Sequence, residues 1–289
     1  MSTPAESRDT LRRLLHDRLG EGPAATFLAE QRDLESLRGH LADVRRIVGA
    51  RPLVASFSER DTASVPTAWG LMKVGRWTTD GAARVLLLAV AAQQEAKPYA
   101  ALHHVYDLGD TETRAAVLHA LNFIEDSDIE PALETIADAG RTYLEALIDA
   151  AWMDNPFAAA HLTDVQFRKA VLKALFSGLD VSRFIGLEAR ADAELAKSLC
   201  QFADEREAAG RPVPAAVWVV AAHHPPAGLV ARLLGRMEHP LPDERLVAAR
   251  ALTSARDPRT ATFIDERLGR ETDERVRAAL EQARAAASA

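Results

Sequence analysis

Apolar residues recur along this chain at helical spacing rather than in strict alternation. One such stripe lies between Pro23 and Gly49 and consists of Phe27, Leu28, Leu34, Leu37, Leu41, Val44 and Val48. Apolar positions three, four and seven residues apart are typical of an amphipathic α-helix. No stretch shows sustained alternation of β-branched residues, so the pattern predicts essentially no strands. The expected fold class is therefore all-α.

Proline, glycine and small polar residues punctuate the apolar stripes. Thr3 and Pro4 predict the start of a first helix, and Gly20 predicts its end. Another helix is expected from Pro23, and a further long one from Pro131 through Trp152. Thr78, Thr79 or Asp80 is expected to cap a further helix, and Asp110 is expected to cap another.

A polar, turn-rich stretch is expected to form a loop over residues 55–66. A short helix is predicted directly after it. Its apolar residues are Trp69, Leu71, Met72 and Val74.

The C-terminal part of the chain repeats a short pattern. Residues 243–252 (DERLVAARAL) and 273–282 (DERVRAALEQ) share Asp-Glu-Arg and a following Ala-Ala pair, and residues 111–121 form a looser copy. Such patterns are typical of stacked helical hairpins, which bury faces that a single hairpin leaves exposed. We therefore expect an irregular α-solenoid, HEAT-like towards the C-terminus. It forms a single domain over 1–289, with N-terminal helices at 1–60, a core at 66–220 and HEAT-like helices at 221–289.

Composition and charge exclude several classes of protein. The chain has 289 residues, 48% of them hydrophobic and 27% charged, as globular proteins do. Its formal net charge of −7 argues against a nucleic-acid partner, because phosphate neutralisation requires a basic surface. The single cysteine, Cys200, excludes an intrachain disulfide and is consistent with the cytoplasm. The longest apolar run, at 85–92, is too short for membrane insertion.

Polar residues that do not resemble plain scaffold concentrate at 151–211. A helix capped by Thr163 or Asp164 should be buried on most sides, with Lys173 in its narrow polar strip. Asn155 and His161 precede it. Their ordinary roles would be a turn residue and a packing residue.

The next helix is expected from Arg190 to Gly210. Arg206 falls on its apolar face, where a buried guanidinium requires an ion partner. Glu205 lies on the adjacent polar arc, and Arg211 follows the helix end, where it could simply complement the helix dipole. The candidate ligand-binding residues of the whole stretch are Asn155, His161, Lys173, Arg190, Glu205, Arg206 and Arg211. They would suit a carboxylate or a polar aromatic ligand.

Motifs of standard catalysis are not found. The sequence has no glycine-rich phosphate loop, no G-x-S-x-G elbow, no H-E-x-x-H and no paired metal-ligand spacing. We therefore expect no catalytic residue, no metal and no cofactor.

Several strings resemble the EboA family, a bacterial family named for the ebo gene cluster. They are PTAW at 66–69, RW at 76–77, AARVLLL at 82–88, NPF at 155–157, Phe167, VLKALF at 171–176, GLEAR at 186–190, ELAKSL at 194–199 and ER-x-AAGR at 205–211. The resemblance implies a cytoplasmic accessory protein that traffics or processes a small secondary metabolite. Its implied partners are that metabolite and proteins of the same gene cluster.

Three other functions remain open from the residues. One is an α-solenoid scaffold that binds a protein partner. Another is an enzyme that acts on a pathway intermediate, with His161 or Glu205 as acid or base. The third, a HEAT-like DNA-repair protein, is disfavoured by the acidic charge.

Overall fold

Helices form most of this chain, as the computed structural model describes it over residues 2–30 and 32–288. This confirms the all-α prediction, apart from one small hairpin. The chain divides into two compact units, Met1–Ile185 and Gly186–Ala289. The expectation of a single domain stays a prediction.

Unit 1 contains eleven helices in its described part. They are α1 (Pro4–Leu19), α2 (Pro23–Ala29), α3 (Leu34–His40), α4 (Val44–Val48), α5 (Thr79–Ala92), α6 (Pro98–Leu108), α7 (Thr111–Ala120), α8 (Glu130–Arg141), α9 (Glu145–Trp152), α10 (Pro156–His161) and α11 (Asp164–Phe176). Short 3-10 turns lie at Leu41–Asp43, Leu121–Phe123 and Val181–Arg183.

Local capping explains many of these boundaries. Thr3 accepts from the backbone of Glu6 in a capping box, and Gly20 follows the last residue of α1 with a positive φ. Thr78 caps α5 and Asp110 caps α7. Each cap satisfies backbone N–H groups that have no partner inside the helix. These predicted boundaries are confirmed.

Helix α5 is the centre of unit 1. It is buried along almost its whole length and packs against α1, α4 and α7. Leu86 and Leu88 are at most 1% exposed. A helix that is apolar on all sides is stable only inside the core, so the one arginine of α5, Arg84, is also buried.

The short helix predicted around Trp69 is wrong. Strands β1 (Ser64–Thr67) and β2 (Gly70–Lys73) form an antiparallel hairpin there. The Thr67 hydroxyl donates to the Gly70 carbonyl, and Gly70 has a φ of 139° that favours glycine. Four-residue strands are too short for a clear alternation, which is why the sequence pattern did not reveal them.

Two predicted long helices are interrupted. The helix expected from Pro23 ends at Ala29, and Asp33 caps the next one by accepting from Ser36. The helix expected from Pro131 to Trp152 breaks between Arg141 and Glu145. Apolar spacing continues across both breaks, so periodicity alone does not locate them.

Unit 2 contains a second series of helices. They are α12 (Ala193–Ala208), α13 (Ala215–Ala221), α14 (Leu229–Arg236), α15 (Pro242–Ala255), α16 (Ala261–Arg270) and α17 (Glu274–Ala287). The repeated strings lie in α15 and α17, which pack against each other. HEAT-like stacking of the hairpins stays a prediction. No helix in the described part of the chain is long and apolar enough to cross a bilayer.

Candidate functional site

The polar residues singled out in unit 1 have separate surroundings. Asn155 is fully buried and caps α10, where its Oδ1 accepts from Ala158 N and from Asn122 Nδ2. Its Nδ2 donates to the Ala150 carbonyl at 3.0 Å. Asn122 in turn accepts from Phe157 N at 2.8 Å. All of these bonds hold the turn between α9 and α10, so Asn155 is satisfied internally.

His161 and Lys173 contact aromatic rings. The His161 imidazole lies 4.4 Å from the ring of Trp69 and 4.5 Å from that of Phe157. Burial lowers its pKa below the usual value. The Lys173 ammonium lies 4.3 Å from the centroid of the Tyr143 ring. Both side chains therefore lie against aromatic rings of unit 1, and their role in binding stays a prediction.

The other four candidates, Arg190, Glu205, Arg206 and Arg211, lie in unit 2. The prediction that Arg206 is buried and ion-paired is wrong. Arg206 is half-buried, and its Nε donates to the Pro212 carbonyl at 2.9 Å while its guanidinium lies over Phe202. Helix α12 ends two residues after Arg206, so the side chain reaches the carbonyls beyond the helix end. Glu205 and Arg211 are exposed, and Arg190 is half-buried.

A cleft of about 620 Å³ in unit 1 is the strongest candidate site among the described residues. Its lining comes from the N-terminal part of α5, from α7 and α9, and from the segment that follows β2. Clefts of this size are typical of small-molecule sites. None of the seven residues predicted from the sequence lines it.

The floor and one wall of the cleft are apolar or aromatic. Met72 and Met153 are each 1% exposed and face this space. On the wall, the rings of Trp77 and His119 stack with centroids 4.7 Å apart and an interplanar angle of 23°. Such a wall offers dispersion and stacking contacts to a flat ligand.

Buried charges form a second wall. Arg84 Nη1 lies 3.2 Å from Asp80 Oδ2, and Arg84 Nη2 lies 2.8 Å from Glu112 Oε2. The side chains of Asp80 and Arg84 are both 6% exposed. Asp80 Oδ1 and Arg84 Nε are buried and have no hydrogen-bond partner in the described part of the chain. Unsatisfied atoms on buried charged groups are costly, so this network is incomplete.

Arg183 closes the far end of the cleft. Its Nε donates to Asp154 Oδ2 at 2.7 Å, and its Nη2 donates to Asp149 Oδ1 at 3.1 Å. Burial lowers the pKa of Arg183, but these two hydrogen-bonded carboxylates raise it further than burial lowers it. Asp154 has a φ of 52°, a conformation that costs energy for a residue other than glycine. The ion pair and the Asp154 N–H bond to the Arg183 carbonyl hold that conformation.

His119 is neutral at physiological pH. Burial lowers its pKa to about 4, with Asp149 opposing that shift and Arg183 adding to it. A neutral imidazole keeps the aromatic wall uncharged and leaves it able to accept or donate a hydrogen bond.

We call the exposed edge of the cleft, lined by Arg60, Lys73 and Arg76, its mouth. One close backbone contact lies there. A Cβ placed on Gly75 would lie 1.7 Å from the Arg60 carbonyl oxygen. Only glycine therefore lets the 55–63 loop lie against the turn after β2. The residues next to this contact, Arg60 and Arg76, both line the cleft together with Lys73.

The sequence analysis did not predict this cleft, although it quoted strings that contain some of the lining residues. Trp77 and Arg84 lie within the strings RW and AARVLLL noted above, and neither is among the predicted site residues. The available signal was Gly75 immediately before Arg76 and Trp77, because a glycine beside polar and aromatic residues can mark a close backbone approach. The described residues contain no group of three His, Cys, Asp or Glu side chains that could hold a metal.

Comparison with known proteins gives one finding. A family model described as "Metabolite traffic protein EboA" matches residues 25–222, which include every residue that lines the cleft. No curated protein and no solved structure matches the chain. Because the family model covers well over half of the sequence, this chain belongs to the EboA family.

Proposed function

We propose that this protein binds a small metabolite in the unit 1 cleft and carries it between partners. The observation that carries the proposal is a cleft with an apolar floor, a stacked Trp77–His119 wall and a buried, incompletely bonded Asp80–Arg84 pair. Apolar walls with a few placed polar groups are typical of ligand sites. Membership of a family described as metabolite traffic proteins supports the same role.

A carrier role requires binding without chemistry, and the polar groups of the cleft are suited to that. Arg84 and Arg183 are each held by two carboxylates. Paired in this way, they fix the orientation of a ligand and remain in place when it leaves. As part of this proposal, the protein acts in the cytoplasm, and proteins of the same gene cluster donate or accept the ligand.

Isolation of the full chain from its own host under native conditions would test the proposal. Native mass spectrometry would detect a bound small molecule, and chromatography with mass spectrometry would identify it after release. We expect the wild type to carry a ligand and Trp77→Ala to lose it. Tyr143→Ala is the matched control, because Tyr143 is 91% exposed and lies outside the cleft.

A second variant separates loss of binding from loss of folding. Ala115 lines the cleft without filling it, so Ala115→Phe occupies the space and removes no existing contact. We expect it to fold and to arrive without ligand. Retention of the same molecule by folded Trp77→Ala and Ala115→Phe, or a wild-type protein without any small molecule, would contradict the proposal.

A further inference from the structure

The charges around the cleft differ from those of the chain as a whole. The full chain carries a formal charge of −7, whereas the cleft is lined by six cationic and five anionic side chains. The local balance is therefore slightly positive in an acidic protein. Charge of one sign at a concave surface attracts the opposite charge from solution.

Four of the five carboxylates at the cleft are already paired. Asp80 and Glu112 contact Arg84, and Glu112 also contacts Arg45. The remaining pairs join Arg183 to Asp149 and Asp154. These groups neutralise one another, so they contribute little net charge to an incoming ligand.

The cations at the mouth have no such partners. In residues 2–30 and 32–288, no carboxylate forms an ion pair with Arg60, Lys73 or Arg76. Arg60 donates only to the Val54 carbonyl, at 3.3 Å, and Lys73 and Arg76 are exposed. Asp61 is the single unpaired carboxylate at the cleft. Three free cations against one free anion favour a negatively charged group at the mouth.

These cations and the aromatic wall belong to one short segment. Lys73 ends β2, Arg76 follows Gly75, and Trp77 comes next. The Gly75 contact adds Arg60 from the neighbouring loop. One molecule of modest size can therefore reach both the cations and the Trp77 ring.

From this juxtaposition we infer that the cleft takes a flat aromatic molecule that carries an acidic group. Its ring lies in the cleft beside Trp77 and His119, and its carboxylate or phosphate lies at the mouth beside Arg60, Lys73 and Arg76. The inference rests on the proposed function, which requires only that some small molecule binds in the cleft. Arginine and lysine recognise both acids, by charge-assisted hydrogen bonds.

Four probes test this ligand class on the full chain. They are 2-naphthoate, 2-naphthyl phosphate, the neutral 2-naphthamide and the non-aromatic cyclohexanecarboxylate, each titrated by ligand-observed NMR or calorimetry at low salt. We expect at least one naphthyl anion to bind about tenfold more tightly than the amide, the factor that a hydrogen bond to a charged group typically contributes. The difference should shrink as NaCl screens the exposed cations. Cyclohexanecarboxylate should bind more weakly than naphthoate, and the ratio of naphthoate to naphthyl phosphate identifies the preferred acid.

Variants assign the two parts of the site. The double variant Lys73→Met/Arg76→Met should bind the naphthyl anions only as tightly as it binds the amide. Its affinity for the amide should equal that of the wild type. Trp77→Ala should weaken the binding of the naphthyl anions and of the amide. Arg250→Met, at an exposed arginine of unit 2, should change neither.

Two outcomes would overturn the inference. One is an amide that binds as tightly as the anions, and the other is a double variant that keeps the preference for anions. Either result leaves the proposed function intact, because that is judged by the molecule that copurifies from the host. Absence of all naphthyl binding would also overturn the inference, whereas an empty wild-type protein from the host would overturn the proposed function itself.

Discussion

Each unit of this protein buries arginines against a carboxylate, and the two carboxylates differ in how completely their oxygens are bonded. In unit 2, Glu271 has a fully buried side chain that accepts from Arg245 through Nε and Nη2 at 2.8 Å and from Arg267 at 2.7 Å. The backbone N–H groups of Thr272 and Asp273 also donate to it, both at 3.0 Å. Five donors thus saturate this carboxylate.

In unit 1 the buried carboxylate, Asp80, lacks that saturation. The Nε atoms of Arg84 and Arg267 are both buried without a partner in the described part of the chain, so the difference lies in the carboxylates. Asp80 uses one of its two oxygens on Arg84 and leaves the other buried without a partner. Asp80, Arg84 and Glu112 also line the cleft of unit 1. In contrast, Glu271, Arg245 and Arg267 line none of the described pockets. A buried carboxylate whose oxygens are all bonded indicates an architectural role, and one with an unbonded oxygen beside open space indicates a binding role.

The largest change in unfolding free energy should come from removal of the saturated carboxylate, Glu271. Glu271→Ala leaves Arg245 and Arg267 buried without a counter-charge, which should cost about 3–5 kcal/mol of unfolding free energy. Urea denaturation followed by circular dichroism measures it. The control is Glu238→Ala, since the Glu238–Arg270 pair is about half exposed and should contribute less than about 1 kcal/mol. Equal losses of unfolding free energy in the two variants would contradict the architectural role of Glu271.

The unsaturated network should be dispensable for stability once both partners are replaced. Arg84→Met alone leaves Asp80 charged and buried, at a cost of about 3 kcal/mol, whereas Asp80→Asn/Arg84→Met should recover to within about 1 kcal/mol of wild type. Denaturation curves of the two variants give these values. A double variant as unstable as the single one would assign this network the architectural role as well.

A backbone contact, rather than a charge, should control the mouth of the cleft. Gly75→Ala forces the 55–63 loop away from the turn after β2 and should cost about 1–3 kcal/mol by overpacking. Faster hydrogen exchange within 55–63 would accompany the loss. Gly39→Ala is the matched control, because nothing lies within 4 Å of a Cβ there and alanine favours the α3 helix by about 1 kcal/mol. Unchanged exchange in the loop of Gly75→Ala would contradict this role.

The dependence of stability on pH should separate the two units. His119 has a pKa of about 4 in the folded chain, whereas the ordinary pKa of histidine is 6.5. Between these two pH values the unfolded chain therefore binds more protons than the folded chain. Unit 1 should therefore lose stability as pH falls from 6.5 to 4. Glu271 has a pKa lowered from 4.5 to about 2, chiefly by its hydrogen bonds with Arg245. Its contribution is complete above pH 4.5 and is lost as pH falls towards 2.

Calorimetry across this pH range measures both windows. His119→Gln should flatten the dependence between pH 6.5 and 4, and Glu271→Gln should flatten it below pH 4.5. If either variant flattens the other window, the assignment of the two windows to the two units is wrong.

The parts of the fold that could be predicted are those fixed within a few residues. Thr163 and Gln166 form the predicted cap of α11 through reciprocal bonds three residues apart. Such a motif is visible in the sequence because its partners are neighbours. Arg206 shows the limit of a helical wheel, because the wheel assigned it to a buried face although it stands in the last turn of α12.

The cleft could not be predicted in the same way, since its contacts join distant parts of the chain. Arg84 meets Glu112, Arg183 meets Asp149, and Gly75 meets Arg60. Each contact depends on how whole helices and loops pack. Sequence patterns describe the face of a helix but not which other element that face meets.

The methionines of this protein give it built-in spectroscopic reporters. Of the four methionines in the chain, Met72 and Met153 lie on the cleft floor and Met237 is buried in unit 2. Methionine methyl groups are flexible and sensitive to the rings and charges that approach them. Carbon-13 labelling of these methyls therefore places two signals at the candidate site and one in the other unit. A molecule that enters the cleft shifts the first two, and the third serves as an internal reference in the same spectrum.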